Sequence, residues 1–393
     1  MVIRTLRLTN YRRFDSLGVS FSRKMNVLSG INGAGKSSIL SAIATLLTWY
    51  IRRMVSPKAT GNGTPISERE IRVGSTESEI GIVINDGESN LAWSLVKSVR
   101  GGIISSDKSS LVQLTEYVRK VREQEAIWSL PVLVEYTVNR AVLDIPLRIR
   151  THHEFKLFNT YDDAFTGRVS FRSFFEWFRE CEDIVNERTI ERLKSSDWAE
   201  LKEDFEQENA LKVVKRALTA FLPEFGNWRV RRSPLRMEVT KGNTTLNVEQ
   251  LSDGEKNLIA MVGDLARRLS IANRGSIDAL NGNGIVLIDE IELHLHPAWQ
   301  SNVLMSLMKT FPNVQFIITT HSPLVLSSLN VCLYRQHLEC PGRDVNVFAV
   351  RDGKVESMLD QETGLIGAGE MDDAVRVVET AFDRLLMEHN GEV

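Results

Sequence analysis

The chain has 393 residues, 42% of them apolar, enough for one large core or two modest ones. Its 48 basic and 51 acidic residues leave a net charge of −3, so nothing global announces a nucleic-acid binder. Cys181, Cys332 and Cys340 form no C-x-x-C pair, which argues against a disulfide framework or a zinc ribbon, and no apolar run approaches the roughly 18 to 20 residues of a membrane span.

Residues 1–8 read as a strand, not a signal peptide, so a cytoplasmic chain with no membrane partner is expected. Residues 25–29 are a short apolar run suited to a buried strand. Directly after them, residues 30–37 read G-I-N-G-A-G-K-S, the pattern G-x-x-x-x-G-K-[ST]. Each residue type in it has a mechanical task. The glycines let backbone N–H groups close around phosphate oxygens, Lys36 reaches the β/γ-phosphates, and Ser37 offers a hydroxyl to Mg2+. The predicted nucleotide set is Asn32, Gly33, Ala34, Gly35, Lys36, Ser37 and Ser38. Ile39, Leu40, Ile43, Leu46, Leu47 and Tyr50 then recur at helical spacing. A phosphate in the loop would therefore face a helix N-terminus, with free N–H donors and partial positive charge. The bland alternative, a glycine turn without a ligand, does not account for this strand, loop and helix order.

Residues 80–84 and 91–96 read as a hairpin about Asn85-Asp86-Gly87. The Gly/Ser-rich stretch 101–110 marks a boundary. From 111 to 245 the pattern is largely helical, with Trp128, Trp177, Trp198 and Trp228 but no sustained heptads, which disfavours a long coiled-coil arm. Between Glu176 and Glu208, twelve acidic residues meet five basic ones, a surface read as solvated or as docking a basic protein. Two basic clusters stand out: Arg148, Arg150, His152 and His153, and then Arg229, Arg231, Arg232, Arg236 and Lys241. Each reads either as a contact to phosphate backbone or as a face paired with acidic neighbours, so DNA stays an open partner.

Residues 251–256 read L-S-D-G-E-K, and Ser252 with Glu255 makes a capping box at the start of a helix carrying Leu258, Met261, Val262, Leu265 and Leu269. Residues 285–290 read I-V-L-I-D-E, a strand covered on both faces that ends in two carboxylates. At that position Asp289 can hold the Mg2+ shell with Ser37, and Glu290 can orient or deprotonate an attacking water; the alternative is a solvated strand end. The pairs His152/His153 and His294/His296 lack the companions a metal site needs. L-H-L-H-P at 293–297 reads instead as a shaped loop. Residues 316–323, F-I-I-T-T-H-S-P, form another apolar strand that ends in His321. A hairpin about Asp352-Gly353 and a helix over 371–387 close the chain, too little for an appended nuclease domain.

The phosphate loop, L-S-D-G-E, acidic strand and histidine, in this order, resemble the RecF/SMC-like heads of the ATP-binding-cassette (ABC) ATPases, with Asp253 in place of the usual signature glycine. The resemblance implies an α/β ABC-ATPase head: a mixed sheet around a P-loop core, an antiparallel β lobe and a mainly helical insertion. The halves of the head would be residues 1–110 and 246–393, with 111–245 as the insertion. It further implies ATP and Mg2+ as cofactors and catalytic roles for Glu290 and His321. It also implies a head-to-head dimer, in which Ser252, Gly254 and Glu255 of one subunit cap the ATP held by the other. One departure is plain: the class usually carries a glutamine after the phosphate loop, and none occurs from 38 through 112. Residues 136–148 and 171–186 resemble the ATPases of Septu anti-phage systems, which pair with a separate HNH nuclease. A RecF-like repair ATPase is the alternative, and a transporter ATPase a third.

Overall fold

The computed structural model describes residues 1–99, 111–123, 129–138, 156–167, 171–194, 206–339, 344–360 and 363–366. The expected boundary at 101–110, the basic group at 148–153 and the closing helix at 371–387 lie outside these described residues, as does most of 136–148.

The chain opens with β1 (Val2–Tyr11), β2 (Phe14–Ser20) and β3 (Met25–Ser29), and then α1 (Lys36–Val55). The expected hairpin follows as β4 (Glu77–Asn85) and β5 (Asn90–Ser98). Strands β2, β1, β4 and β5 pair antiparallel in that order, and the alternating burial of β4 shows one face packed and one turned outward. This sheet is the antiparallel lobe.

The middle of the chain holds α2 (Val112–Glu123), β6 (Val132–Tyr136), α3 (Phe171–Lys194) and α4 (Glu206–Phe221), then β7 (Phe225–Arg232), β8 (Leu235–Lys241) and β9 (Thr244–Asn247). Its helical character holds for α2 to α4, but β7, β8 and β9 build a small sheet of their own. Moreover, β6 does not stay within the middle stretch: it pairs in parallel with β10 (Gly284–Ile288) at the edge of the central sheet.

The rest comprises α5 (Asp253–Ala272), β10, α6 (Pro297–Gln300), α7 (Val303–Thr310), β11 (Val314–Thr320) and α8 (Pro323–Glu339), ending in β12 (Val345–Arg351) and β13 (Lys354–Ser357). The central sheet runs β13-β12-β3-β11-β10-β6, with only β13 antiparallel. Strands β3, β10 and β11 are buried along their whole length, as continuous apolar runs in a parallel sheet require. Because β3, β11, β10 and β6 run the same way, Ser29, Thr320, Ile288 and Tyr136 finish at one end of the sheet. Ligands of open α/β sheets bind outside that end.

A fully buried amide joins the lobe to this sheet. Gln315 of β11 accepts the Ile3 N–H at 2.6 Å and donates to the carbonyls of Ile3 at 2.9 Å and Ser22 at 2.7 Å. Among the described residues, no helix is long and apolar enough to cross a membrane.

Candidate nucleotide site

The loop between β3 and α1 enters its helix through Gly35, at φ 113°. A Cβ there would come within 2.7 Å of the Phe14 ring, so both conformation and space call for glycine. No side chain caps α1, and its first-turn N–H groups can serve an anion. Asn32, Gly33 and Ser37 are exposed along this turn, while Ala34 and Lys36 are buried. The Lys36 ammonium donates to the carbonyls of Gly30 at 2.6 Å and Ile31 at 3.0 Å. Burial lowers its pKa, and Glu290, Asp289 and Glu292 pull it back up. Those three carboxylates therefore act on one cation.

Asp289 follows the last residue of β10, where the chain crosses from buried strand to loop. Ser37 Oγ donates to its Oδ1 at 3.1 Å, across 252 residues of sequence. Thr319 Oγ1 donates to the same oxygen at 2.5 Å and accepts the Glu290 N–H at 2.8 Å. The Asp289 N–H is taken by the Tyr136 carbonyl at 2.8 Å, which fixes the strand end against β6. Glu290 itself sits at φ 48°, a left-handed conformation that non-glycine residues hold chiefly at turns and functional sites.

A hydroxyl and a carboxylate oxygen are the hard donors Mg2+ prefers, and neighbouring ligands of an octahedral ion with bonds of about 2.1 Å lie roughly 3.0 Å apart. The 3.1 Å between Ser37 Oγ and Asp289 Oδ1 fits that geometry. Glu135 of β6 lies beside this group. Burial first, and then the charge of Asp289, push its carboxyl up to about 7.

His321 stands just past the end of β11, with its ring half exposed. Glu292, buried, accepts from the His321 backbone N–H at 2.8 Å and lies 2.8 Å from its Nδ1. Neighbouring Ser322 donates to Gln300 at 2.6 Å, tying the start of α8 to α6.

The capping box is present as expected. Ser252 Oγ accepts the Glu255 N–H at 3.4 Å and donates to its carboxylate at 2.8 Å, and the Ser252 N–H donates to that carboxylate at 2.9 Å. Two extra carboxylates in this turn each have a lysine: Glu255 meets Lys241 at 2.7 Å, and Asp253 meets Lys256 at 3.0 Å. Ser252 and Asp253 are exposed. Gly254 is pressed on the following loop, where a Cβ would come within 2.4 Å of the His294 carbonyl oxygen. Farther along α5, buried Asp264 pairs with Arg267 and Arg268, each at 2.7 Å, and accepts the Tyr136 hydroxyl at 3.0 Å. Burial alone would raise the Asp264 pKa, but Arg268 and then Arg267 bring it down to about 2.

The chain thus brings Lys36, Ser37, Asp289 and Glu290 into one electrostatic group. Among the described residues, no hydrogen bond or ion pair joins Ser252, Gly254 or Glu255 to the phosphate loop.

The second basic cluster is committed locally. Arg229, Arg231 and Arg236 converge on Glu238, Arg232 bonds Asp183, and Lys241 bonds Glu224 and Glu255. The acidic stretch of α3 is likewise only partly solvated, since Glu176 and Glu182 are buried and paired with Arg172 and Lys215. His296 caps α6 through its ring, and the described residues hold no group of three His, Cys, Asp or Glu able to bind a metal.

Sequence reasoning passed over Thr319, Glu292, Glu135 and Tyr136. The polar Thr319-Thr320 pair closing an apolar strand was a usable signal, and so was the V-L-V-E-Y run after Pro131.

Residues 25–327 match a family described as "AAA domain, putative AbiEii toxin, Type IV TA system". The chain is 32% identical over 447 residues to the retron Ec83 probable ATPase of Escherichia coli, covering 99% of this chain and 79% of that one. It is 31% identical over 368 residues to the retron Vc95 probable ATPase of Vibrio cholerae, covering 83% and 71%. It is 24% identical over 328 residues to the Septu protein PtuA of Bacillus thuringiensis, covering 82% and 72%. Among solved structures, the Smc head domain of Pyrococcus furiosus aligns over 97% of this chain and 99% of that one with a TM-score of 0.50; at 16% identity the likeness speaks for the fold alone. With the family match spanning most of the chain, two retron relatives matched over more than two thirds of their length and an Smc-like head fold, the chain belongs to this AAA-domain family and is an ATPase of the ABC, SMC/RecF-head type, related to the retron probable ATPases and to the Septu protein PtuA.

Proposed function

We propose that the chain binds ATP with Mg2+, dimerises head to head around it, and controls a separate nuclease, of HNH type, in anti-phage defence. The observation that carries the catalytic part is the Ser37–Asp289 contact at 3.1 Å beside buried Lys36. In this reading the loop from Asn32 to Ser38 wraps the phosphates, and Lys36 meets the β/γ-phosphates. Ser37 and Asp289 would hold Mg2+, which when bound would neutralise charge developing on the phosphates. Glu290 orients the attacking water and accepts its proton, and His321 meets the γ-phosphate.

Ser252, Gly254 and Glu255 act on the nucleotide of the other subunit. The exposure of Ser252 at the start of α5, and the lack among the described residues of hydrogen bonds or ion pairs from these three residues to their own loop, support that role, because an uncovered helix N-terminus is an anion site and a two-fold interface supplies two of them. The lysines on Asp253 and Glu255 offset carboxylates that would otherwise repel a triphosphate. The defence role and the partner nuclease rest on the relatives, two named for retrons and one for Septu.

The test is threefold: hydrolysis of ATP by the purified chain with and without Mg2+, its mass in solution with ATP and Glu290→Gln, and co-purification with a nuclease encoded beside it. Binding to DNA that depends on ATP and needs no nuclease partner would favour the repair reading instead.

A further inference from the structure

We infer that Glu292 is a positioning residue for His321, an inference that rests on the ATPase reading of the site. One carboxylate oxygen, Oε1, lies 2.8 Å from both the backbone nitrogen and the ring Nδ1 of His321. An ionised carboxylate only accepts hydrogen bonds, so the proton between them belongs to Nδ1. The ring is then held by two bonds from one residue, with Nε2 as its working end. That end is the one a half-exposed imidazole can turn toward a ligand.

Packing alone does not explain the arrangement. Glu292 is 6% exposed, and its second oxygen, Oε2, has no hydrogen-bond partner among the described residues. A buried carboxylate oxygen without a partner is costly, and a purely structural position would be better served by an apolar side chain. The bonded oxygen has an identifiable target instead, the backbone N–H and imidazole of His321, while on Lys36 the side chain only adds to the larger effects of Glu290 and Asp289. Glu292 follows the strand-end carboxylates Asp289 and Glu290 on the same loop. Its bond to His321 therefore couples the loop after β10 to the end of β11. A second carboxylate that fixes which ring nitrogen carries the proton is a recurring device wherever an imidazole must present one defined nitrogen.

Full-length wild type, Glu292→Ala, Glu292→Gln, His321→Ala and the double Glu292→Ala/His321→Ala would be compared by ATP turnover across pH. Thermal melting would report whether each is folded, and selective 15N-histidine NMR would read the ring protons. The expected result is a drop in kcat of about 10 to 100-fold for Glu292→Ala with KM for ATP within about threefold. Glu292→Gln, whose amide oxygen can still accept from Nδ1, should recover most of the rate. The double variant should be no slower than His321→Ala, because both act through one ring. In the spectrum, the His321 signal, assigned by its loss in His321→Ala, should carry its proton on Nδ1 in wild type and not in Glu292→Ala.

The inference is overturned if Nε2–H is the wild-type tautomer, or if Glu292→Ala keeps wild-type turnover while His321→Ala loses it. Equal impairment of folded Ala and Gln variants would overturn it too. Loss of no activity in His321→Ala would instead remove the role assigned to His321 in the ATPase reading, while the tautomer measurement would still judge Glu292.

Discussion

Thr319 aims Asp289. Its hydroxyl donates to Asp289 Oδ1 at 2.5 Å from the neighbouring strand, and the same oxygen accepts the Glu290 N–H at 2.8 Å. One hydroxyl therefore sets the direction of the carboxylate that faces Ser37 and satisfies the backbone at the strained residue beside it. Thr319→Val keeps the shape but removes the hydroxyl that donates to Asp289 and accepts from the Glu290 N–H. We expect it to raise the Mg2+ concentration needed for half-maximal turnover by about 10-fold and to lower stability by about 1 to 3 kcal/mol, with Thr319→Ser close to wild type. Magnesium titrations and thermal melts would check this, and unchanged behaviour of the valine variant would remove Thr319 from the site.

Glu290→Gln keeps the size of the side chain and removes its capacity to accept a proton. Nucleotide binding should persist while turnover falls by about 100 to 10,000-fold. Fluorescent-nucleotide titration and phosphate release would separate the two. Wild-type turnover in this variant would mean that another group handles the water.

Asp264 is the buried counter-charge of two arginines, and losing it should be severe. Asp264→Asn leaves Arg267 and Arg268 buried with their shared counter-charge gone and one of the two accepting oxygens replaced by an NH2 donor, a change expected to cost about 3 to 5 kcal/mol. The acid's folded pKa is depressed, so its contribution is present above its ordinary value of 3.8 and is lost as pH falls toward about 2. The deficit of the variant in denaturant melts should accordingly be constant from pH 6 to pH 9. A deficit that varied strongly across that window would point to another titrating group.

Glu135 gives the opposite sign. Its folded pKa is raised from 4.5 to about 7, so the neutral acid favours the fold fully below 4.5, and that advantage disappears as pH rises through 7. Without Mg2+, Glu135→Gln should therefore gain stability over wild type between pH 5 and pH 8, by at most a few kcal/mol at about 1.4 per pKa unit. Melting temperatures of the two proteins at both pH values decide the matter; a gap that does not widen would refute it.

Much of this arrangement was legible in the order of residues. The strand, glycine loop and helix around Lys36, the buried strand ending at Asp289, the Ser252 cap and the hairpins about Asp86 and Asp352 are all local, and short-range patterns report them. What stayed hidden depends on pairing over long separations. Val132 to Tyr136 look like a brief apolar interruption in a helical stretch until Gly284 to Ile288 take them as a sheet neighbour. That pairing leaves Glu135 half-buried beside Asp289 and turns the Tyr136 carbonyl toward the Asp289 N–H. The arginines near β7 were ambiguous for the same reason, because their carboxylate partners include Asp183, far off in the chain.

Tyr136 has a mechanical consequence. Its carbonyl grips the backbone of Asp289, and its hydroxyl grips Asp264 in the middle of the helix that Ser252 begins. With Gly254 seated on the His294 backbone, that helix is braced to the tip of the acidic strand at two heights. In the head-to-head dimer proposed above, a load applied at Ser252 by the other molecule's nucleotide would pass through this braced helix toward Asp289 and Glu290, so that each site would register its neighbour's occupancy.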